Sequence, residues 1–261
     1  MDISYVFIIP YRDRIQHKTF FNVYINYLLE DINENNYEII FAHQSNDLPF
    51  NRGAMKNIGF LYIKEKYPEY YKNINFIFND IDTLPYKKNL LDYNTEHGEI
   101  KHYYGYKFAL GGIFSIKGED FEKINGFPNY WKWGFEDTII NKRALQKKIK
   151  INRDTFFNIG DSNILQFYDT IKKTIDYNTL MKQYKKNFIE KDGLDTIKNI
   201  KYEFSDEMLN IYSFESLNKY NKNNREYIHN IKDGNSIINP NAPSYKRPSI
   251  KMNLIDNKNK K

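Results

Sequence analysis

The sequence predicts an α/β fold with a mainly parallel central sheet flanked by helices. Two observations carry this. Short β-branched and aromatic runs alternate with amphipathic stretches in the order strand, helix, strand, helix, strand over the first 80 residues. A chain of 261 residues with 41% hydrophobic and 17% aromatic content also has ample material for a packed core.

The elements follow in order. YVFII (5–9), closed by Pro10, reads as a buried strand, and EIIFAH (38–43) and NFIFND (75–80) as two more. Between them, residues 15–31 carry Ile15, Phe20, Val23, Tyr27 and Leu28 near helical spacing, and residues 54–66 place Ile58, Leu61 and Tyr62 on one side of a second helix. FALGGIFSIK (108–117) reads as a strand containing a glycine pair. EDFEKI is a short helix stopped by Gly126, and FPNYWKWG (127–134) is an aromatic loop. Asp137 to Lys148 reads as a helix with acids at its start and lysines at its end. Residues 151–157 and 197–204 look like strands, with a helical stretch around 177–191. One domain over residues 1–238 and a flexible basic tail over 239–261 are expected.

Composition excludes several classes. With no cysteine, disulfide scaffolds, Cys-ligated zinc and thiol nucleophiles are ruled out. No apolar run reaches the ~18 residues that span a bilayer. A net charge of +6 suits a solvated lysine-rich surface or attraction to anions. No RRM-like or zinc-finger signature is present, so nucleic acid is not an expected partner, although the basic tail could touch an anionic membrane weakly.

In a parallel α/β sheet, ligands bind beyond the carboxyl ends of the strands. Three clusters fall there. Asp80-Ile81-Asp82 closes the third strand; i and i+2 carboxylates on one strand face would repel unless a cation sat near them, and the alternative reading is that the two aspartates merely end a strand and start a turn. Pro10-Tyr11-Arg12-Asp13-Arg14 and Phe50-Asn51-Arg52-Gly53 put arginine forks beside aromatic rings, suited to phosphate and a stacked base, or to ordinary surface ion pairs. Trp131-Lys132-Trp133-Gly134-Phe135-Glu136-Asp137 sets acids at a helix start beside indoles. That is plain capping and core packing, or a sugar platform with a desolvated general base.

Taken together, the order P-Y-R-D-R, F-N-R-G, D-I-D, G-G and INGFPNYWKWGFED (124–137) resembles the β-1,4-galactosyltransferase family, glycosyltransferase family 7, from about Tyr5 to about Ile151. The resemblance implies a GT-A-like, nucleotide-sugar-binding version of the α/β fold. It implies an inverting, metal-dependent transferase that moves Gal, GalNAc or GlcNAc from a UDP-sugar to a carbohydrate hydroxyl, forming a β-linkage. By matching position, Pro10, Tyr11, Arg12 and Arg14 would lie against the nucleotide, and Phe50 and Arg52 would contact uracil and diphosphate. Asp80, Ile81 and Asp82 would form the D-x-D element, with Asp82 on Mn²⁺ or Mg²⁺. Gly111 and Gly112 would lie beside the donor sugar, and Trp133 would fold over it. Glu136 would hold the acceptor and Asp137 would be the base.

The chain departs from the family at several positions. Ala109 stands where galactosyl members have Tyr, which opens room for an N-acetyl group. Thr138 and Phe135 alter the acceptor side. The family's metal-binding His is absent; Phe167 falls near its place and Asp169 two residues beyond, as a substitute ligand. That loss motivates an alternative, a degenerate UDP- or glycan-binding protein. Animal members carry a membrane anchor and disulfides, so a chain without cysteine leads to the expectation of a cytoplasmic microbial or viral enzyme that is not Golgi-anchored.

Overall fold

The structure, a computed structural model, describes residues 3–168, 172–178, 180–181 and 191–230. The first strand, β1 (Tyr5–Tyr11), is buried from Val6 onward. It is followed by α1 (Ile15–Leu28), β2 (Tyr37–Gln44), α2 (Arg52–Lys66) and β3 (Asn75–Asn79). β1 pairs in parallel with both β2 and β3, with Ile8 opposite Ile40 on one side and Phe78 on the other. The carboxyl ends of all three strands therefore open on one edge, as the alternating sequence pattern requires.

Successive side chains of β1 point to opposite faces. Val6 and Ile8 pack in one core with Ala54 and Ile58 of α2. Phe7, Ile9 and Tyr11 pack in the other with Phe21 and Ile25 of α1. α2 lies so close to β1 that a β-carbon on Gly59 would stand 2.8 Å from Ile8 Cγ2.

The chain continues through β4 (Thr83–Pro85), β5 (Glu99–Gly105), β6 (Ile113–Lys117), α3 (Gly118–Lys123) and α4 (Glu136–Gln146). Then come β7 (Lys150–Asn152), β8 (Phe157–Asn158), β9 (Ile164–Gln166) and β10 (Lys172–Asp176). The last elements are β11 (Lys198–Ser205), β12 (Met208–Glu215) and β13 (Glu226–Asn230). The main sheet runs β11-β12-β2-β1-β3-β6-β5-β7, with β8 also on β5; β4–β9 and β10–β13 are separate two-stranded ladders. The sheet is mixed, because β6 is antiparallel to β3 and β5 and β11 is antiparallel to β12.

Several expectations need correction. α1 buries Phe21, Ile25 and Leu28, whereas Ile15, Phe20, Val23 and Tyr27 are exposed. Apolar residues cover more than half of the circumference of this helix, so spacing alone did not identify the packed face. The expected strand over 108–117 begins only at Ile113, and the glycine pair precedes it as a turn. The expected strand over 151–157 is two short pieces, β7 and β8. The helical stretch around 177–191, Asp169 and the tail 239–261 lie wholly or largely outside the described residues. Among the described residues, no helix is long and apolar enough to cross a membrane.

Candidate active site

The D-x-D element is a turn rather than a strand end. β3 stops at Asn79, and the Thr83 N–H returns to the Asp80 carbonyl at 3.1 Å. The two carboxylates take different partners. Asp80 Oδ2 accepts from Arg52 at 2.8 Å, and Lys56 Nζ stands 3.1 Å from its Oδ1. Asp82 Oδ2 instead meets Arg14 Nη1 at 3.3 Å.

Arg52 starts α2 just after Asn51, whose side chain caps the helix by accepting the Ala54 N–H at 2.9 Å. From there its guanidinium reaches three carboxylates. Besides Asp80, it donates through Nε to Glu136 Oε1 at 3.0 Å and pairs with Asp137 Oδ2. Glu136 and Asp137 form the first turn of α4, where the helix dipole favours negative charge.

Lys56 was missed by the sequence reading. It lies four residues after Arg52 on the same helix face and is fully buried, with Nζ 3.9 Å from Asp137 Oδ1. A lysine one turn beyond the arginine of the F-N-R motif was the available signal.

The charges separate into distinct states. Burial disfavours ionisation of Asp80, but Arg52 and Lys56 outweigh it and hold the carboxyl down to about 2. Burial raises the Asp137 carboxyl to about 6 against the pull of Arg52 and Lys56, with Glu136 and Asp80 adding repulsion. Asp82 is also raised, by burial and by the charge of Asp80.

The glycine pair forms one wall. The Gly112 carbonyl accepts the Asp80 N–H at 3.0 Å, and Gly111 lies directly against Asp137. Behind them His102 is buried. Its ring is pushed down to about 4 by burial and the neighbouring Arg153, so it is neutral near pH 7. Arg153 Nε approaches Nδ1 at 3.1 Å, which leaves Nε2–H to donate to the carbonyls of Tyr104 at 3.0 Å and Gly111 at 3.1 Å.

The opposite wall is the aromatic loop. Lys132 N–H donates to the Phe50 carbonyl at 2.8 Å. Trp133 stacks on His229, with centroids 5.8 Å apart and planes at 13°. Trp131 turns onto Phe214 and Tyr220 and donates its indole N–H to the Asn218 carbonyl. Tyr11 sits at the end of β1 against His43, and Arg12 bonds to Asp13 and the Leu48 carbonyl. Pro10 continues β1 into this edge, Ile81 is buried under the turn, and Ala109 beside the glycine pair is buried.

The residues present were tested against a divalent cation. Asp80 lies between Arg52 and Lys56, whereas Asp82 pairs with Arg14 and its carboxyl is raised, so Asp82 is the less compensated of the two. Among the described residues, no group of three or more His, Asp or Glu could chelate a metal. Phe167 N–H bonds to the Asp82 carbonyl at 2.8 Å, and its ring packs on Phe20 and His17. Phe167 is thus tied to Asp82 through the backbone, while its ring packs toward α1. One hard oxygen ligand fits a Mg²⁺- or Mn²⁺-like ion that takes its remaining ligands from phosphate and water.

Arginines and carboxylates gather at the carboxyl edge of an α/β sheet, the edge at which proteins of this class bind their ligands. Comparison with known proteins makes this specific. Residues 2–94 match the family described as the N-terminal region of glycosyl transferase group 7, and residues 94–168 the one described as the N-terminal domain of galactosyltransferase. The chain belongs to the glycosyltransferase 7 family. It is 28% identical to a xylosylprotein 4-beta-galactosyltransferase of Caenorhabditis elegans, over 65% of this chain and 60% of that protein. It is 32% identical to beta-1,4-galactosyltransferase 1 of Mus musculus, over 56% of this chain and 38% of the relative. The chain thus spans about 60% or less of the length of these relatives. A crystal structure of the catalytic domain of Drosophila beta1,4galactosyltransferase 7 with xylobiose superposes with a TM-score of 0.63 at 21% identity, covering 80% of this chain and 94% of that one. A mutant of the same Drosophila protein was solved with manganese, UDP-Gal and xylobiose.

Proposed function

We propose that the protein is an inverting, divalent-cation-dependent transferase moving a hexose or N-acetylhexosamine from a UDP-sugar to a carbohydrate hydroxyl. The single observation that carries this is the placement of Asp137. Its carboxyl is raised to about 6 and shares Arg52 and Lys56 with the D-x-D residue Asp80.

At pH 7 a carboxyl with that pKa is about nine-tenths ionised, yet basic enough to take a proton from a hydroxyl as it attacks. Asp137 Oδ1 would accept the acceptor hydroxyl proton while that oxygen attacks the anomeric carbon from the face opposite the leaving group. UDP leaves, and one displacement turns an α-donor into a β-linkage. Arg14 would stabilise the negative charge that builds on the departing diphosphate. A divalent ion bound at Asp82 supplies further charge neutralisation there. Buried Glu136 anchors Arg52 and so orients the cluster. Tyr11 and Phe50 would flank the base, Gly111 and Gly112 the sugar, and Trp133 would cover it. The small Ala109 supports a donor with an N-acetyl group.

The second reading, UDP binding without turnover, is favoured by the absence of the family's metal-binding His, near whose place Phe167 falls. Zero cysteine supports a reducing, cytoplasmic setting. Incubating the protein with Mn²⁺, a panel of UDP-sugars and β-xyloside or N-acetylglucosaminide acceptors tests the main reading. UDP release that depends on acceptor supports transfer. Tight UDP binding with no release from any donor supports the second reading.

A further inference from the structure

The β10–β13 ribbon lies beyond the family-matched residues, which end at 168, and it stands against the Trp133 loop. The Thr174 carbonyl accepts the Trp133 N–H at 3.2 Å, and the His229 ring lies flat on the Trp133 indole. Glu226 forms an ion pair with Lys132, the residue whose N–H holds the Phe50 carbonyl. The ribbon is therefore fixed to the candidate site through two consecutive residues of the loop.

Its register sets which side chain faces inward. Directly opposed residues of an antiparallel pair project from the same face. Lys173 opposes His229, so it projects from the face that carries Trp133. From there its ammonium acts on the Asp82 carboxylate, as Arg14 does. A diphosphate seated at Asp82 would be bordered by Arg14 from α1 and Lys173 from β10.

We propose that Lys173 binds the diphosphate of the nucleotide sugar, completing with Arg14 a cationic frame that the ribbon brings to the site. The assignment rests on the UDP-sugar reading above. Two arguments carry it beyond proximity. Arg52 is already divided among Asp80, Glu136 and Asp137, so it has little donor capacity to turn toward phosphate. The cation site offers one carboxylate, so compensation of the diphosphate charge falls to protein side chains. A lysine ammonium on a flexible stem suits that task as a point charge.

The test is calorimetric titration of the full chain with UDP and with uridine, in EDTA and again with Mn²⁺, for wild type, Lys173→Met and Lys173→Arg. A charge-assisted contact is worth about tenfold in affinity or more. Lys173→Met is expected to lose about tenfold for UDP with uridine unchanged within about twofold, and Lys173→Arg to retain UDP within about threefold. Wild-type affinity for UDP in Lys173→Met overturns the assignment. So does an equal loss for UDP and uridine, which marks a merely structural lysine, or a Lys173→Arg variant as weak as the Met variant. If wild type itself binds UDP no better than uridine, the UDP-sugar reading has failed, and that failure shows in the wild-type arm alone.

Discussion

Gly111 and Asp137 are in contact: a β-carbon on the glycine would stand 2.7 Å from Asp137 Oδ2, an oxygen already held by Arg52. Gly111 has no positive φ, so alanine fits its backbone and the clash falls on the carboxylate. Gly111→Ala is therefore expected to lower the transfer rate by about tenfold or more, as small misplacements of a reacting group do. UDP affinity and melting temperature should stay close to wild type. Initial rates and calorimetry measure both, and an unchanged rate would show that the contact does not position the base. Gly112→Ala provides the contrast. It combines φ +69° with a β-carbon 2.4 Å from the Tyr104 carbonyl oxygen, so the loss should appear as stability, on the order of 1–3 kcal/mol in urea unfolding.

Asp137→Asn keeps the shape of the side chain and removes the base. Transfer should fall by about a hundredfold or more while UDP still binds. In the wild type, kcat/KM should drop about tenfold per pH unit below about 6, because only the ionised carboxylate accepts a proton and burial holds its pKa there. A variant that transfers at the parental rate, or an acid limb centred near pH 4, would remove Asp137 from the role.

The readability of the chain divides along physical lines. β1, β2 and β3 were legible because each is a bounded apolar run buried on both faces. β5, which reads EIKHYYG, carries no clean alternation and was missed, so the antiparallel partner of β6 went unseen. The same holds for β12 and β13, where Asn, Lys and Tyr are spread through strand and loop alike. Within the site, motif order located Arg14, Arg52, Asp82, Gly111 and Asp137, which the fold brings together. The strand-face argument for Asp80 and Asp82 does not apply, because β3 ends one residue early and both lie in the following turn. Lys56 was invisible because a lysine in a helix is ordinarily solvated. Its burial follows only once α2 is laid against the carboxyl edge of the sheet.

The different partners of Asp80 and Asp82 separate two roles that the motif merges. Asp82→Asn removes the carboxylate left for a cation, so Mn²⁺ should no longer strengthen UDP binding, while the fold survives. Asp80→Asn releases one of the carboxylates on Arg52 and Lys56, leaving buried positive charge less compensated, and should lower stability by about 3 kcal/mol or more. UDP titrations with and without Mn²⁺, paired with urea unfolding, distinguish the two. Identical behaviour of both variants would mean that the carboxylates act as one unit.

Lys56 is the cation that the acidic cluster can least spare. It is fully buried, 3.1 Å from Asp80 Oδ1 and 3.9 Å from Asp137 Oδ1. Lys56→Met preserves most of its volume and its packing against the Phe127 ring but deletes the charge. Removing one partner of a buried ion pair costs about 3–5 kcal/mol, which urea unfolding at pH 7 would register. The sign of the catalytic effect also follows. Lys56 favours the ionised form of Asp137, so without it the carboxyl rises further above 6 and the acid limb of kcat/KM moves to higher pH. Lys56→Arg keeps the charge but exceeds the buried space, so it should lose stability without that upward displacement. An acid limb that stays in place in Lys56→Met, despite the loss of stability, would show that this lysine holds the fold together without tuning the base.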